Sequence, residues 1–436
     1  MKQLEPSPQR TPRIARKTLI HVCVVAMVIA MSLLAGDGCR AEQQPWPLWE
    51  SYAKGFIDQQ GRVIDHSGAD RTTSEAQAYA MFFALVANDR PHFDKLLKWT
   101  QENLAQGDLA ERLPAWNWGK APDGQWKVLD PNPASDADLW MAYDLLEAGL
   151  LWHDPGYLKI GTAMAEHIAK QEVALLPPSC ANGPLLLPAP QGFHPDDYTW
   201  IMNPSYAPLP VVQYLATKMP QGPWGAMVQE LPRFYNHTAT SGFAPDWTKC
   251  IAGQGWVPTL APSQQATQSQ AGQKSVDQAA PVVAAVIPGA QPAGGAPTPP
   301  PTSTGSFDAI RVYLWLGIAD PKTPGVQASL ESLPGMAQYL SHGGVPPRTV
   351  DNFGSAKNAD GPIGFSGAVI PYLLALKQKA SADAQAGRLA AGLDKGSGLY
   401  GNPAYYYDQN MALFAAGWME KRYSIEKDGS LKLKWK

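Results

Sequence analysis

From residue 45 onward, apolar positions recur at three- and four-residue spacing, broken by short clusters of Gly, Pro and Asp. That is the pattern of helices joined by turns. The spacing predicts helices near 45–58, 73–88, 91–105, 135–150, 155–173, 205–218, 222–237, 306–319, 325–340, 363–378, 380–394 and 406–420. Period-two alternation is scarce. "GRVIDH" (61–66) reads as a short strand, and "RYSIEKDGSLKLKW" (422–435) as a hairpin turning at Asp428-Gly429. The chain is therefore expected to be all-α with minor β hairpins.

Two stretches depart from this pattern. Residues 257–305 hold nine prolines and only two charges, Lys274 and Asp277. Such a Pro/Ala/Gln-rich composition buries too little apolar surface to offset ordering. The helix that follows, "FDAIRVYLWLGIAD", needs partners on several sides, so the stretch is read as an insertion into one domain made of 42–256 and 306–436. At the N-terminus, Arg10, Arg13, Arg16 and Lys17 precede the apolar run 19–36, and a small-residue site ends at Ala41. Residues 1–41 read as a signal peptide, with an uncleaved anchor as the alternative. Export to the periplasm or beyond is expected. The mature chain would keep Cys180 and Cys250. In an oxidising compartment they can pair, and two free thiols are the other reading.

Composition narrows the function classes. A net charge of −3 offers no basic footprint for nucleic acid. Charged residues are only 17%, whereas there are 15 Trp and 16 Tyr, several in loops such as "PAWNWGKAPDGQW" (114–126). Rings held in loops suit the flat apolar faces of sugars, although loop anchoring explains them equally well.

The chain carries no HExxH, paired CxxC, GxGxxG, P-loop or GxSxG pattern, and its eight His are scattered. Neither metal nor cofactor is expected. Acidic residues, by contrast, recur at the heads of apolar helices. In "RTTSEAQAYAM" (71–81), Glu75 fits a capping box with Thr72 as N-cap. In "NPASDADLWMAYDLL", Ser135 is a natural N-cap, and Asp136 and Asp138 favour the helix dipole. Asp308 opens a third helix in "SFDAIR". If these helices pack as hairpins, Glu75, Asp136 and Asp308 share one rim. Two carboxyl groups, one protonated and one ionised, are what glycosidic hydrolysis requires.

"TTSEAQAYAM", "PASDADLWMAYDLLEAG", "IMNPSYAPLP" and "FDAIRVYLWLG" occur in this order. Together they resemble glycoside hydrolase family 8 from about residue 45 to 425. The resemblance implies an (α/α)6 barrel and endo-acting, inverting hydrolysis of a β-1,4-linked glucan such as cellulose. It also implies a monomer working beside a bacterial cellulose synthesis and export machinery. By motif, Glu75 corresponds to the general acid and Asp308 to the general base. Asp136 corresponds to the carboxylate that bonds the sugar at the cleavage point, and Tyr206 to the tyrosine that holds the attacking water. Trp118, Trp140 and Trp200 are candidate sugar platforms. Arg311, one turn after Asp308, stands in reach of a site carboxylate or of an ordinary surface ion pair. A helix N-terminus lowers a carboxyl pKa, so an acid at Glu75 needs burial or neighbouring negative charge to stay protonated. Chitosan or xylan as substrate, a non-catalytic carbohydrate-binding protein of the export system, and a helical-barrel polysaccharide lyase are the competing readings.

Overall fold

A computed structural model describes residues 45–259 and 304–436, together with Met1. The signal-peptide reading of 1–41 and most of the 257–305 stretch lie outside the described residues. Thirteen helices run among the described residues. They are α1 Pro47–Phe56, α2 Ser74–Val86, α3 Arg90–Asn103, α4 Ser135–Leu151, α5 Pro155–Gln171, α6 Leu209–Lys218 and α7 Trp224–Thr238. After the second undescribed stretch come α8 Ala309–Ile318, α9 Val326–Glu331, α10 Pro334–Ser341, α11 Ile363–Ala375, α12 Lys379–Ala391 and α13 Tyr406–Met419.

The apolar pattern sorts these helices into two rings. Helices α2, α4, α8, α11 and α13 are apolar nearly all round and bury most of their side chains, and α6 buries Leu209 to Val212, Tyr214 and Leu215. A helix of that composition must be enclosed. Each packs on the next, α2 on α4, α4 on α6, α6 on α8, α8 on α11, α11 on α13 and α13 on α2, so the inner ring closes. The remaining helices are amphipathic and lie outside. α3, for instance, buries Phe93, Leu96, Leu97 and Trp99 and leaves its charged face to water. The result is the (α/α)6 barrel that the resemblance implies, built from the helices that the pattern predicts. Its axis is filled by aromatic rings: Trp140 lies 5.2 Å from Phe82, 5.0 Å from Trp315 and 5.2 Å from Phe414. Such edge and tilted contacts each contribute about 1 kcal/mol beyond area burial.

The departures have local causes. The helix expected over 325–340 is broken into α9 and α10 at Leu333-Pro334, because Pro lacks the N–H that would continue the ladder. α6 starts at Leu209 rather than 205, behind Pro204 and Pro208. "GRVIDH" forms only isolated bridges, Ile57 to Val63 and Asp65 to Arg71. The C-terminal hairpin is present, with Tyr423–Ile425 pairing Leu431–Leu433. The described ends of the 257–305 stretch form strands, where composition indicated no ordered structure. Pro258 closes strand Gly255–Pro258, and Thr304–Gly305 forms another strand.

Short sheets decorate the barrel. Near the site, strands β1 Thr72–Thr73, β2 Asn117–Lys120 and β3 Trp126–Asp130 form one, while Thr199–Met202, Thr248–Ile251 and Gly255–Pro258 form another. Cys180 and Cys250 are bonded, Cα to Cα 5.9 Å, across a sequence separation of 70. On a chain-entropy account, closing such a loop contributes about 4 kcal/mol.

Candidate active site

The rim is formed by the N-terminal ends of the inner helices. Here the backbone N–H groups of each first turn need acceptors, and how each helix finds them determines which carboxyls are free. In α2 the N-cap is Thr73, not Thr72: Thr73 Oγ1 accepts from Ala76 N at 3.1 Å. Thr72 lies in β1, where its hydroxyl donates to the Val63 carbonyl at 2.6 Å. The capping box expected from the sequence is therefore absent, and Glu75, one position into the helix from Ser74, is released to the cleft. Likewise Ser135 is not the cap of α4; it is the first helical residue and its hydroxyl donates to the Leu187 carbonyl at 2.6 Å. In α8 the N-cap residue is Asp308, yet its side chain makes no capping bond.

All three carboxyls converge on Arg311. One guanidinium nitrogen donates to Glu75 Oε2 and, at 2.9 Å, to Asp136 Oδ2. The other donates to Asp308 Oδ1 at 2.8 Å and to Ser205 Oγ at 3.0 Å. The guanidinium side chain is only 3% exposed, whereas Asp308 is 29% and Glu75 20% exposed, so the two carboxyls face the opening and the cation sits beneath. Arg311 is thus a buried hub rather than half of a surface pair. Tyr206 lays its ring over the guanidinium, 5.5 Å from centroid to Cζ. Tyr406, the first residue of α13, directs its hydroxyl to Glu75 Oε1 at 3.4 Å.

Burial pushes the Glu75 carboxyl up to about 7, and the charges of Asp136 and Asp308 add to the rise. Arg311 and Arg71 oppose it. Asp136 is raised by burial as well, with Arg311 and the Ala137 N–H pulling it down. The site therefore places Glu75, which holds its proton up to about 7, beside two further carboxyls on the same guanidinium. A carboxyl that is protonated near neutral pH can serve as a general acid.

The aromatic candidates separate. Trp118, in β2, is half-buried and stacks on Trp126 at 5.2 Å, with the Arg62 guanidinium 4.6 Å from the Trp118 ring. Its strand pairs with β1, Thr72 opposite Trp118, which leads into the Glu75 helix. Trp200 is half-buried and stacks on His194 at 4.5 Å. Trp140 is 0% exposed. It packs the barrel axis and offers no face to a sugar, which removes it as a platform. Its helical spacing within "DADLWMAYDLL" was a core signal that the motif-based reading passed over.

Sequence reasoning also missed residues that the fold brings to the site. Ser205, Tyr406 and Trp247, whose ring lies 6.0 Å from Tyr206 and 5.7 Å from Phe193, are three. A fourth is Asp246, which reaches the Asp308 turn from the loop after α7. "YYY" at 405–407, heading an apolar helix, was a usable signal; "APDWTK" around Asp246 carries none.

Comparison with known proteins follows the geometry. Residues 20–272 match the family described as "Glycosyl hydrolases family 8". The chain is 39% identical to an endoglucanase of Xanthomonas axonopodis pv. citri, over 97% of each chain. It is 38% identical to an endoglucanase of Escherichia coli K12, covering 94% of this chain and 96% of that one. Among solved structures, an endo-1,4-D-glucanase from Vibrio fischeri ES114 superposes with a TM-score of 0.75 at 33% identity. That match covers 90% of this chain and 99% of the other.

Proposed function

The chain belongs to glycosyl hydrolase family 8, and from that premise we propose that it is an endo-acting hydrolase of β-1,4-glucan that inverts the anomeric centre. One observation carries the reading: a protonatable Glu75 and Asp308 both bond the buried Arg311 guanidinium and both remain partly open to solvent. Glu75 gives its proton to the glycosidic oxygen as the bond to the anomeric carbon breaks. Asp308 takes a proton from water as that water attacks the same carbon from the opposite face. Asp136, fixed by Arg311, accepts from a hydroxyl of the distorted sugar, and Tyr206 orients the water. Arg311 holds Asp136 and Asp308 in place by hydrogen bonds, while burial lets Glu75 keep its proton up to about 7.

The names of near full-length relatives support glucan as the polymer. The basic-then-apolar N-terminus supports action after export, during cellulose synthesis and secretion. Incubation with carboxymethyl cellulose, xylan and chitosan tests the reading. New reducing ends should appear foremost from the cellulose derivative, and NMR should detect the α anomer first. Faster release from xylan or chitosan would move the substrate class, and a β anomer first would overturn the inverting mechanism.

A further inference from the structure

Asp308 stands where a helix N-cap stands, and an aspartate there ordinarily spends its carboxylate on the amides of its own first turn. Here the carboxylate goes to Arg311 instead. The amides are served by a second carboxylate 62 residues earlier in the chain. Asp246 Oδ1 accepts from the backbone N–H of Ser306 at 2.7 Å, of Asp308 at 3.1 Å and of Ala309 at 2.8 Å. We propose that Asp246 is the positioning residue of the general base, gathering these three amides so that the Asp308 carboxyl is free and aimed at the cleft.

The surroundings hold Asp246 and the turn in register. Asp246 N donates to the Thr304 carbonyl at 2.7 Å, and Ala244 N donates to the Tyr313 hydroxyl at 3.0 Å. Tyr407 donates to the Phe307 carbonyl, and Ser306 Oγ to the Arg348 carbonyl at 2.6 Å. The two segments meet so closely that a Cβ on Gly305 would lie 2.2 Å from the Ala244 carbonyl oxygen. Charged and titratable groups around Asp246 are Asp308, Arg311, Tyr313 and Tyr407. Burial, with the Asp308 charge, pushes Asp246 up to about 7. An acceptor oxygen remains available to the amides in either protonation state, so the hold does not depend on ionisation.

The proposal rests on the assignment of Asp308 as base, and two readouts keep the questions separate. The first is hydrogen exchange of peptides spanning 304–313 in the full chain. Asp246→Ala should lose protection there and nowhere else, whereas Asp246→Asn, whose amide oxygen can still accept, should keep it. The second is kinetics on carboxymethyl cellulose. Asp246→Ala should lose on the order of 10²-fold in kcat, the cost of misplacing a catalytic group by about 1 Å, with KM almost unchanged. Asp246→Asn should restore kcat to within about threefold, because Asn and Asp cap comparably. If Asp246→Ala does not fold, Asp246→Ser, with a hydroxyl too short to gather all three amides, carries the same expectations. Unchanged exchange at 304–313, a change in KM at constant kcat, or an Asn variant as impaired as the Ala variant would each overturn the proposal. If the wild-type chain cuts no glucan, the functional reading falls, and the exchange experiment still decides whether Asp246 holds the turn.

Discussion

Asp136 and Asp138 stand two residues apart in the first turn of α4, and both are buried, yet their surroundings differ in kind. Asp136 turns toward the rim and meets Arg311 at 2.9 Å. Asp138 turns inward to face Glu172, each fully buried, and among the described residues none of their four oxygens meets a hydrogen-bond donor from another group. Burial pushes both members of the inner pair well above the ordinary carboxylate range. Two carboxylates facing each other without a cation must retain at least one proton between them. At the rim the same desolvation acts, but a guanidinium opposes it. The difference between the two regions is a buried cation: the rim carboxyls share the Arg311 guanidinium as donor, whereas among the described residues the inner pair has only each other.

The strongest way to break this comparison is to change the rim carboxyls. Glu75→Gln cannot donate a proton and Asp308→Asn cannot accept one. Each should lose on the order of 10²–10⁴ in turnover while keeping the fold, the range for general acid–base groups. Turnover and circular dichroism measured side by side check this, and near-normal activity in Glu75→Gln would remove it as the acid.

Removing the cation should show in stability as well as in rate, because Arg311 holds all three carboxyls. Arg311→Met leaves three carboxyls around an apolar side chain, and breaking a buried ion pair costs about 3–5 kcal/mol. Arg311 lowers the pKa of Glu75 and Asp136, so in its absence both take up protons more readily. The penalty should therefore shrink as pH falls, and chemical denaturation at pH 5 and pH 8 would expose the difference. In the wild type, activity should decline as pH rises through about 7, where Glu75 loses the proton it must donate. A basic limb far from that value would mean that another group supplies the proton.

The inner pair sets the smallest effect. In the folded state burial raises both groups well above the ordinary values of aspartate and glutamate. The folded state therefore binds more protons than the unfolded one above that range, and stability declines as pH rises toward the folded pKa. Glu172→Gln removes one of the two titrations. The variant should lose less stability than the wild type between pH 5 and pH 9. Parallel slopes in melting temperature against pH would show that the pair carries no proton in this range.

Much of this molecule is legible in its amino-acid order. Inner helices such as α2 and α4 announce themselves by being apolar all round, and outer ones such as α3 by a single apolar stripe. Glu75, Asp136 and Asp308 are conspicuous as charges heading apolar runs, because a charge there needs either a capping role or a chemical one. Both are local properties, set by side chains within one or two turns of each other. What the order of residues did not decide is which of those roles each carboxyl takes. Thr73 rather than Thr72 caps α2, Asp246 caps α8 from another segment, and Trp140 fills the axis instead of facing the cleft. Arg311 touches residues 236, 175 and 106 positions away. Hydrogen-bond demand at a helix end is fixed by the backbone, but the group that meets it is whichever acceptor the closed ring of helices brings within about 3 Å. Only closure of the barrel determines that distance.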